Sequence, residues 1–239
     1  MAISRVRHFA KALRWRAAAL RRSLRPEFRY VSESFSQEGE DLILRHIFEG
    51  KRDGFYVDVG AHHPMRFSNT YLFYKMGWRG INIDATPGSM SAFRVTRPRD
   101  TNLQLAISDR NETLTFFLFD EPALSTFSQD LASEWERTTS YRVIRKIDVP
   151  ALSLAEVLAK HKAARQHIDF LTVDVEGWDL RVLRSNDWDR FSPDIVLAET
   201  LGDTLEEAVS SELVAYVRSQ GYSLFAKTFN TVFLRRDRS

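Results

Sequence analysis

Apolar and polar positions change period along this chain in a regular way. From residue 35 onward, short runs rich in β-branched and aromatic residues alternate with segments whose apolar residues recur every three or four positions. Runs of the first kind suit strands and segments of the second kind suit helices. The alternation therefore predicts an α/β fold, a mostly parallel sheet with helices on both faces. The predicted order begins with a helix over 38–49, a strand over 55–60, a helix over 69–76 and a strand over 81–85. A helix over 89–95 and a strand over 102–108 follow, and the alternating TLTFFLF at 113–119 reads as an added antiparallel strand. Residues 120–150, with Pro122 and Pro150, are the least regular part and are read as an insertion placed to cap a substrate. Ser153 with Glu156 three residues later makes a capping-box pattern that opens a helix over 153–163. Then come a strand over 169–175, a helix over 178–185, a strand over 194–199 and one helix over 204–219, stopped by Gly221. YSLFAK and TVFLRR close the fold as a hairpin turning across 228–230.

Charge adds a division that the periodicity does not show. Residues 1–25 hold eight Lys or Arg and no acid, which leaves 26 basic and 32 acidic residues, a net of −6, in the rest of the chain. An acidic body is unsuited to phosphate backbones, so a nucleic-acid partner is not expected. In the basic stretch Ile3, Val6, Leu13, Ala17, Leu20 and Leu24 fall close to a helical period, and Pro26 ends the pattern. The expected organisation is a basic amphipathic arm over 1–26 and a catalytic domain over 27–239. Such an arm can lie on an anionic membrane surface, or remain solvated or packed on the body. Arginines interrupt any signal-peptide core, and no run approaches the roughly 18 apolar residues of a membrane span. The expected location is the cytoplasm, with contact at the inner membrane face. The composition, 44% hydrophobic and 28% charged over 239 residues, is that of an ordinary globular domain. There is no cysteine, which removes disulfides, thiolate metal sites and cysteine nucleophiles together.

The chemistry gathers at predicted strand ends. Asp58 sits near the end of FYVDVG, and Gly60 permits a tight turn at the sheet edge where open α/β folds bind ligands. Asp84 ends INIDA, where an acid can accept hydrogen bonds from two ribose hydroxyls. A pyrophosphate cradle wants G-x-G-x-x-G, but the turn reads Gly60-Ala61-His62-His63-Pro64-Met65, with His62 where a second glycine would stand. A ligand with a ribose and no phosphate fits better, and S-adenosylmethionine is such a ligand. A nicotinamide oxidoreductase shares the sheet and Asp84 but needs the missing glycines. Asp174 and Glu176 flank a turn after the next predicted strand, and Glu199 ends the strand beside it. Clustered acids at one edge suit a sulfonium ligand, a general base or a divalent metal. Asp174 as a helix cap and Glu176 as a solvated side chain are the plain alternatives. Cytosine methylation at C5 is excluded by the absence of cysteine. An Asn/Asp-Pro-Pro-aromatic turn for base amino methylation is replaced by Asp174-Val175-Glu176-Gly177.

FSQEGEDLIL at 35–44, GFYVDVGAHHP at 54–64, FSNTYLFYKMGWRGINIDATPGSM at 67–90, AISD at 106–109 and LTVDVEGWDLRVL at 171–183 together resemble the FkbM family of S-adenosylmethionine-dependent methyltransferases. The resemblance covers roughly residues 34–235, and it is nearest to members from bacterial polysaccharide gene clusters. It implies a Rossmann-like class I methyltransferase sandwich with a seven-stranded sheet, and an enzyme that O-methylates a sugar hydroxyl. N-methylation of an amino sugar and O-methylation of a small hydroxylated metabolite stay open. By the same resemblance Asp58 and Gly60 form the first cofactor motif, Asp84 clamps the ribose, Ser108 and Asp109 lie near the adenine, and Asp174 lies near the methionine end. Gln37 and Glu38 are expected as cofactor or substrate contacts that close the site, Gln37 being placed with the cofactor, and Asn69 as a further cofactor contact.

Removal of a proton from a sugar hydroxyl needs a base within about 3 Å or a metal that lowers its pKa. The candidate catalytic residues are His63, favoured because histidine titrates near neutrality, His62, Asp174 and Glu176. Mg²⁺ on Asp174, Glu176 and Glu199 is the less favoured route. Phe127, Trp135 and Tyr141 are expected either to stack on sugar faces or to pack as a satellite cluster. Met90 is expected in the core. A noncatalytic membrane-docking module, using the arm alone, is the reading of a different class.

Overall fold

The computed structural model describes residue 27, residues 30–200 and residues 204–237. The chain divides into two compact units, residues 1–34 and residues 35–239. The amphipathic arm predicted over 1–26 lies outside the described residues. Among the described residues no helix is long and apolar enough to cross a membrane.

Seven strands make the main sheet, which is the fold the periodicity predicts. In chain order they are β1 (Phe55–Val59), β2 (Arg79–Asp84), β3 (Thr101–Gln104), β7 (Phe170–Val173), β8 (Ile195–Glu199), β9 (Tyr222–Lys227) and β10 (Thr231–Arg236). Their order across the sheet is β3-β2-β1-β7-β8-β10-β9. The first five run parallel, and the β9–β10 hairpin closes the sheet antiparallel against β8. The chain reverses its winding between β1 and β7, so the carboxyl ends of these two strands face a crevice at the switch point.

Alternation along each strand splits the core in two. Val57, Leu171 and Val196 point to one face with Leu154, Val157, Val182, Val214 and Val217. These contacts bury the apolar sides of helices α5 (Leu154–His161), α6 (Asp179–Arg184) and α8 (Glu212–Ser219). Tyr56, Phe170, Ile195 and Phe233 point to the other face, against Leu44, Phe48, Leu72, Phe73 and Trp78. That face is covered by α1 (Glu40–Ile47) and α2 (Tyr71–Met76). Ser153 caps α5 by the predicted reciprocal bonds with Glu156. Met90, which opens α3 (Met90–Thr96), is fully buried with Phe93, as expected.

Three predicted elements are corrected. The strand expected over 102–108 breaks at Leu105, so β3 stays in the main sheet while β4 (Ala106–Ile107) pairs elsewhere. The stretch expected to be irregular, 120–150, contains a 3₁₀ turn at Pro122–Leu124, the helix α4 (Gln129–Thr138) and most of a ten-residue strand, β6 (Val143–Leu152). With β5 (Glu112–Phe119), these form a second sheet of order β4-β6-β5. The helix expected over 204–219 is two, α7 (Leu205–Ser210) and α8. The chain is extended at Ser211, whose Oγ caps the second by accepting from Val214 N at 3.2 Å.

Candidate active site

The crevice is built from the ends of β1, β2 and β7. Gly60 turns out of β1 at φ +87°, and a Cβ there would stand 1.7 Å from the Asp174 carbonyl oxygen. Only glycine meets both constraints. The turn is tied to β2 by Gly60 N and Ala61 N, which donate to Ile83 O at 2.9 and 3.0 Å. It is tied to β7 by Asp174 N, which donates to Val59 O at 3.0 Å.

At the end of β2, Asp84 is buried and its carboxylate is oriented by two backbone donors. His62 N reaches Oδ2 at 2.9 Å, and Thr86 N reaches Oδ1 at 2.8 Å. Each oxygen keeps a lone pair for a ligand hydroxyl. Asp84 lines a cleft of about 530 Å³, counting its open mouth, with Gly60, His62, Asp174, Glu176 and Trp178. Phe116 and Phe127 form an apolar wall, their ring centroids 4.5 Å apart. Two buried polar atoms on this cleft, His62 Nε2 and Trp178 Nε1, have no hydrogen-bond partner. A planar heterocycle with both donors and acceptors would satisfy them. His62 holds φ +48°, and burial keeps its pKa below the usual histidine range against the pull of Asp84.

Asp174 also lines a second recess of about 310 Å³, together with Gln37, Glu38, Glu40, Phe67, Asn69, Glu199, Asn230 and Thr231. Glu38 fixes the tip of the β9–β10 hairpin there. Asn230 donates to its carboxylate from the backbone and from Nδ2, both at 2.9 Å. Asn69 Nδ2 donates to Thr172 Oγ1 at 3.0 Å. One oxygen each of Asp174, Glu176 and Glu199 lies within 4.8 Å of the others, a spacing compatible with a cation. Crowding by protein and then repulsion from nearby acids push all three carboxyls up, the acids being Asp58, Glu40 and Glu38 for Asp174 and chiefly Asp174 for Glu176 and Glu199, although Asp174 itself remains open to water at the cleft. Asp179 beneath them is pushed up to about 8 by burial and by Asp174, against the backbone donors that hold it down.

The structure brings Gly60, His62, Asp84, Asp174 and Glu176 to the first cleft, and Gln37 and Asn69 to the second recess. Glu38 and Glu199 also line the second recess, but Asp58, His63, Ser108 and Asp109 reach neither wall. His63 Nδ1 accepts from Met65 N at 3.1 Å and Arg66 N at 2.9 Å, which makes it a turn residue rather than a base facing the cleft. Asp58 is buried below the cleft, where it accepts from Thr70 Oγ1 at 2.6 Å. Burial, opposed by Arg97, lifts its pKa to about 6. Ser108 donates to Glu112 at 2.7 Å, and Asp109 accepts from Arg181 at 2.8 Å. Arg181 in turn lies 4.4 Å from the Trp178 ring centroid, so Asp109 reaches the cleft only through Arg181 and Trp178. Asp174 caps no helix, because α6 starts five residues later, and Glu176 is half-buried rather than solvated. Of the three aromatics, Phe127 lines the first cleft. Trp135 packs on Phe119 at 5.7 Å, and Tyr141 is exposed. Trp178 was not predicted; its only sequence signal is a large ring just after Gly177, where a helix begins at the same edge.

Residues 58–224 match the family model described as the Methyltransferase FkbM domain. No curated protein matches the chain. Among solved structures it is similar to a TehB-like SAM-dependent methyltransferase from Corynebacterium glutamicum ATCC 13032 Kitasato, at 10% identity and TM-score 0.43 over 97% of this chain and 99% of that one. It is also similar to a precorrin-6y C5,15-methyltransferase from Geobacter metallireducens GS-15, at 10% identity and TM-score 0.43 over 87% and 94%. A third is an O-methyltransferase from Bacillus cereus in complex with SAH, at 11% identity and TM-score 0.33 over 94% and 88%.

Proposed function

The chain belongs to the FkbM methyltransferase family, and from that premise we propose that it methylates a hydroxyl group of a sugar with S-adenosylmethionine as donor. The oxidoreductase and the noncatalytic module are set aside by the family. Residues 27–239 are read as the catalytic domain and 1–26 as a basic arm. One observation carries the site assignment: a carboxylate at the end of β2, held by two backbone amides, opens on a cleft with two unpartnered buried polar atoms. Asp84 is assigned to the ribose hydroxyls. Phe116, Phe127, His62 and Trp178 are assigned to the base, and Gly60 to the close approach of the methionine end.

When bound, the donor supplies an electrophilic methyl on positively charged sulfur, which leaves with the bonding electron pair. Asp174 lines both recesses and is assigned as the acceptor of the hydroxyl proton. Its raised pKa makes it a stronger base than an ordinary carboxylate, which suits a weakly acidic hydroxyl. Glu176 and Glu199, pushed up further by burial and by their neighbours, keep the negative charge beside it low enough to be tolerated. Positioning supplies the rest of the acceleration.

Calorimetric titration of S-adenosylmethionine and S-adenosylhomocysteine into the wild type and Asp84→Ala tests the assignment. Binding by the wild type and its loss, by about a hundredfold or more, in the variant is expected for two charge-assisted hydrogen bonds. Equal affinities would remove Asp84 from the cofactor site.

A further inference from the structure

The recess that shares Asp174 with the cofactor cleft has a property that the cleft lacks. All four ionisable side chains on its wall, Glu38, Glu40, Asp174 and Glu199, are carboxylates. The amides of Gln37, Asn69 and Asn230, the hydroxyl of Thr231 and the ring of Phe67 complete it, and the recess holds about 310 Å³ when its open mouth is counted. Two of the four acids are already engaged. Both Glu38 oxygens accept from Asn230 at 2.9 Å, while Glu40 accepts from Glu38 N at 2.9 Å and Thr228 Oγ1 at 3.0 Å. They stiffen the wall. By contrast Glu199 Oε2 is shut off from solvent without a partner, and the exposed Gln37 amide makes no hydrogen bond among the described residues. Two cations on adjoining segments are committed elsewhere. Arg66 lies 4.3 Å from the Phe67 ring centroid and pairs with Glu121 at 3.3 Å, and Lys227 donates to the carbonyls of Thr228 and Phe229.

We propose that this recess is the acceptor subsite and that it admits a neutral polyhydroxylated ring, one whose reacting unit carries no phosphate or carboxylate. The proposal rests on the methyltransferase reading above. An anionic unit would enter a space whose ionisable groups are all carboxyls, with no uncommitted cation among the described residues to meet it, which weakens its binding. An amine would be drawn in but held as ammonium, and a protonated amine has no lone pair to receive a methyl group. A hydroxylated ring is matched on each side: carboxylates accept from its hydroxyls, amides donate to them, and Phe67 offers an apolar surface to its C–H face. Any phosphate carried by the acceptor must then sit outside the recess, on a unit beyond the one that reacts.

Saturation-transfer NMR on the full chain loaded with S-adenosylhomocysteine tests this. The probes are methyl glycosides of neutral hexoses, hexose 6-phosphates, hexuronic acids and aminohexoses. Neutral glycosides are expected to bind, and the phosphorylated and uronic forms to bind about tenfold more weakly or worse. Gln37→Ala, at an exposed position without intramolecular bonds, is expected to weaken neutral glycosides about fivefold, the worth of one hydrogen bond, with S-adenosylhomocysteine affinity unchanged. Equal or better binding of the phosphorylated or uronic sugars, rejection of the aminohexoses, no binding of any neutral glycoside, or indifference to Gln37→Ala would each overturn the acceptor proposal. The cofactor affinity measured in the same samples separates the two readings. If it is present while glycosides are ignored, the acceptor proposal alone falls; if it is absent, both fall.

Discussion

At Gly60 a backbone conformation and a close approach fall on the same residue. Gly60→Ala must both hold an L side chain at φ +87° and displace the Asp174 carbonyl, so it is expected to cost about 3 kcal/mol or more, read from urea unfolding. A loss below 1 kcal/mol would mean that the turn relaxes without disturbing β7. Asp174→Asn removes a proton acceptor while keeping the side chain's size. It should lower kcat by about 10²–10⁴-fold with S-adenosylhomocysteine affinity nearly unchanged. Because the carboxyl is pushed up, the wild-type rate should fall on the acid side of a midpoint above the ordinary carboxylate range, and a profile flat to pH 4.5 would exclude Asp174 as base. Gly60, Asp84 and Asp174 were legible because each ends a strand whose apolar run is plain in the sequence. The place of His63 was not legible, because reactivity alone cannot reveal that its Nδ1 accepts from two turn amides. Asn230 was invisible, since only the closing hairpin brings it to Glu38 from 192 positions away.

The elements read correctly are those whose signals are local. The α5 capping box is one, and its energy can be checked: Ser153→Ala removes the hydroxyl that accepts from Glu156 N, leaving the bond from Ser153 N to the Glu156 carboxylate, and should cost about 1 kcal/mol in urea unfolding, with Ser153→Asp restoring most of it. No change would show that α5 is held by packing alone. The misread elements have physical reasons. Pro150 argued against a strand, yet at Pro150 the second sheet has a neighbour on one side only, because β4 pairs just Ala151 and Leu152. The outer positions of β6 are mostly exposed or half-buried, so the apolar alternation that marks a core strand is absent. Ser211 looked like an ordinary helix position. Its hydroxyl instead ends one helix, donating to Ala208 O at 2.8 Å, and caps the next. Leu105 hides a change of sheet, which no local signal announces.

The whole molecule stores unfavourable charge at one edge of its sheet, and that storage has a pH signature. Asp179, pushed up to about 8, and Glu176 and Glu199, also pushed up, bind protons more tightly folded than unfolded. Each therefore contributes stability that is complete below the unfolded carboxylate pKa and is lost as pH rises toward the folded value. The buried histidine shift at His62 has the opposite sign, but it acts below about pH 6.5, where histidine titrates in the unfolded chain. Between pH 7 and 8 the carboxylates stand alone. Asp179 by itself should remove on the order of 1 kcal/mol over that interval, which lowers Tm by about 2–4 °C. Glu199→Gln should flatten the slope. A ligand bearing a positive sulfonium compensates the same charge, so the rise in Tm given by S-adenosylmethionine should grow with pH, while that given by the uncharged sulfur of S-adenosylhomocysteine should stay nearly level. Thermal melts at pH 7 and 8, with each ligand at saturation, decide the point. Parallel gains for the two ligands would mean that the acidic edge does not face the sulfur, and that its carboxylates serve the acceptor alone.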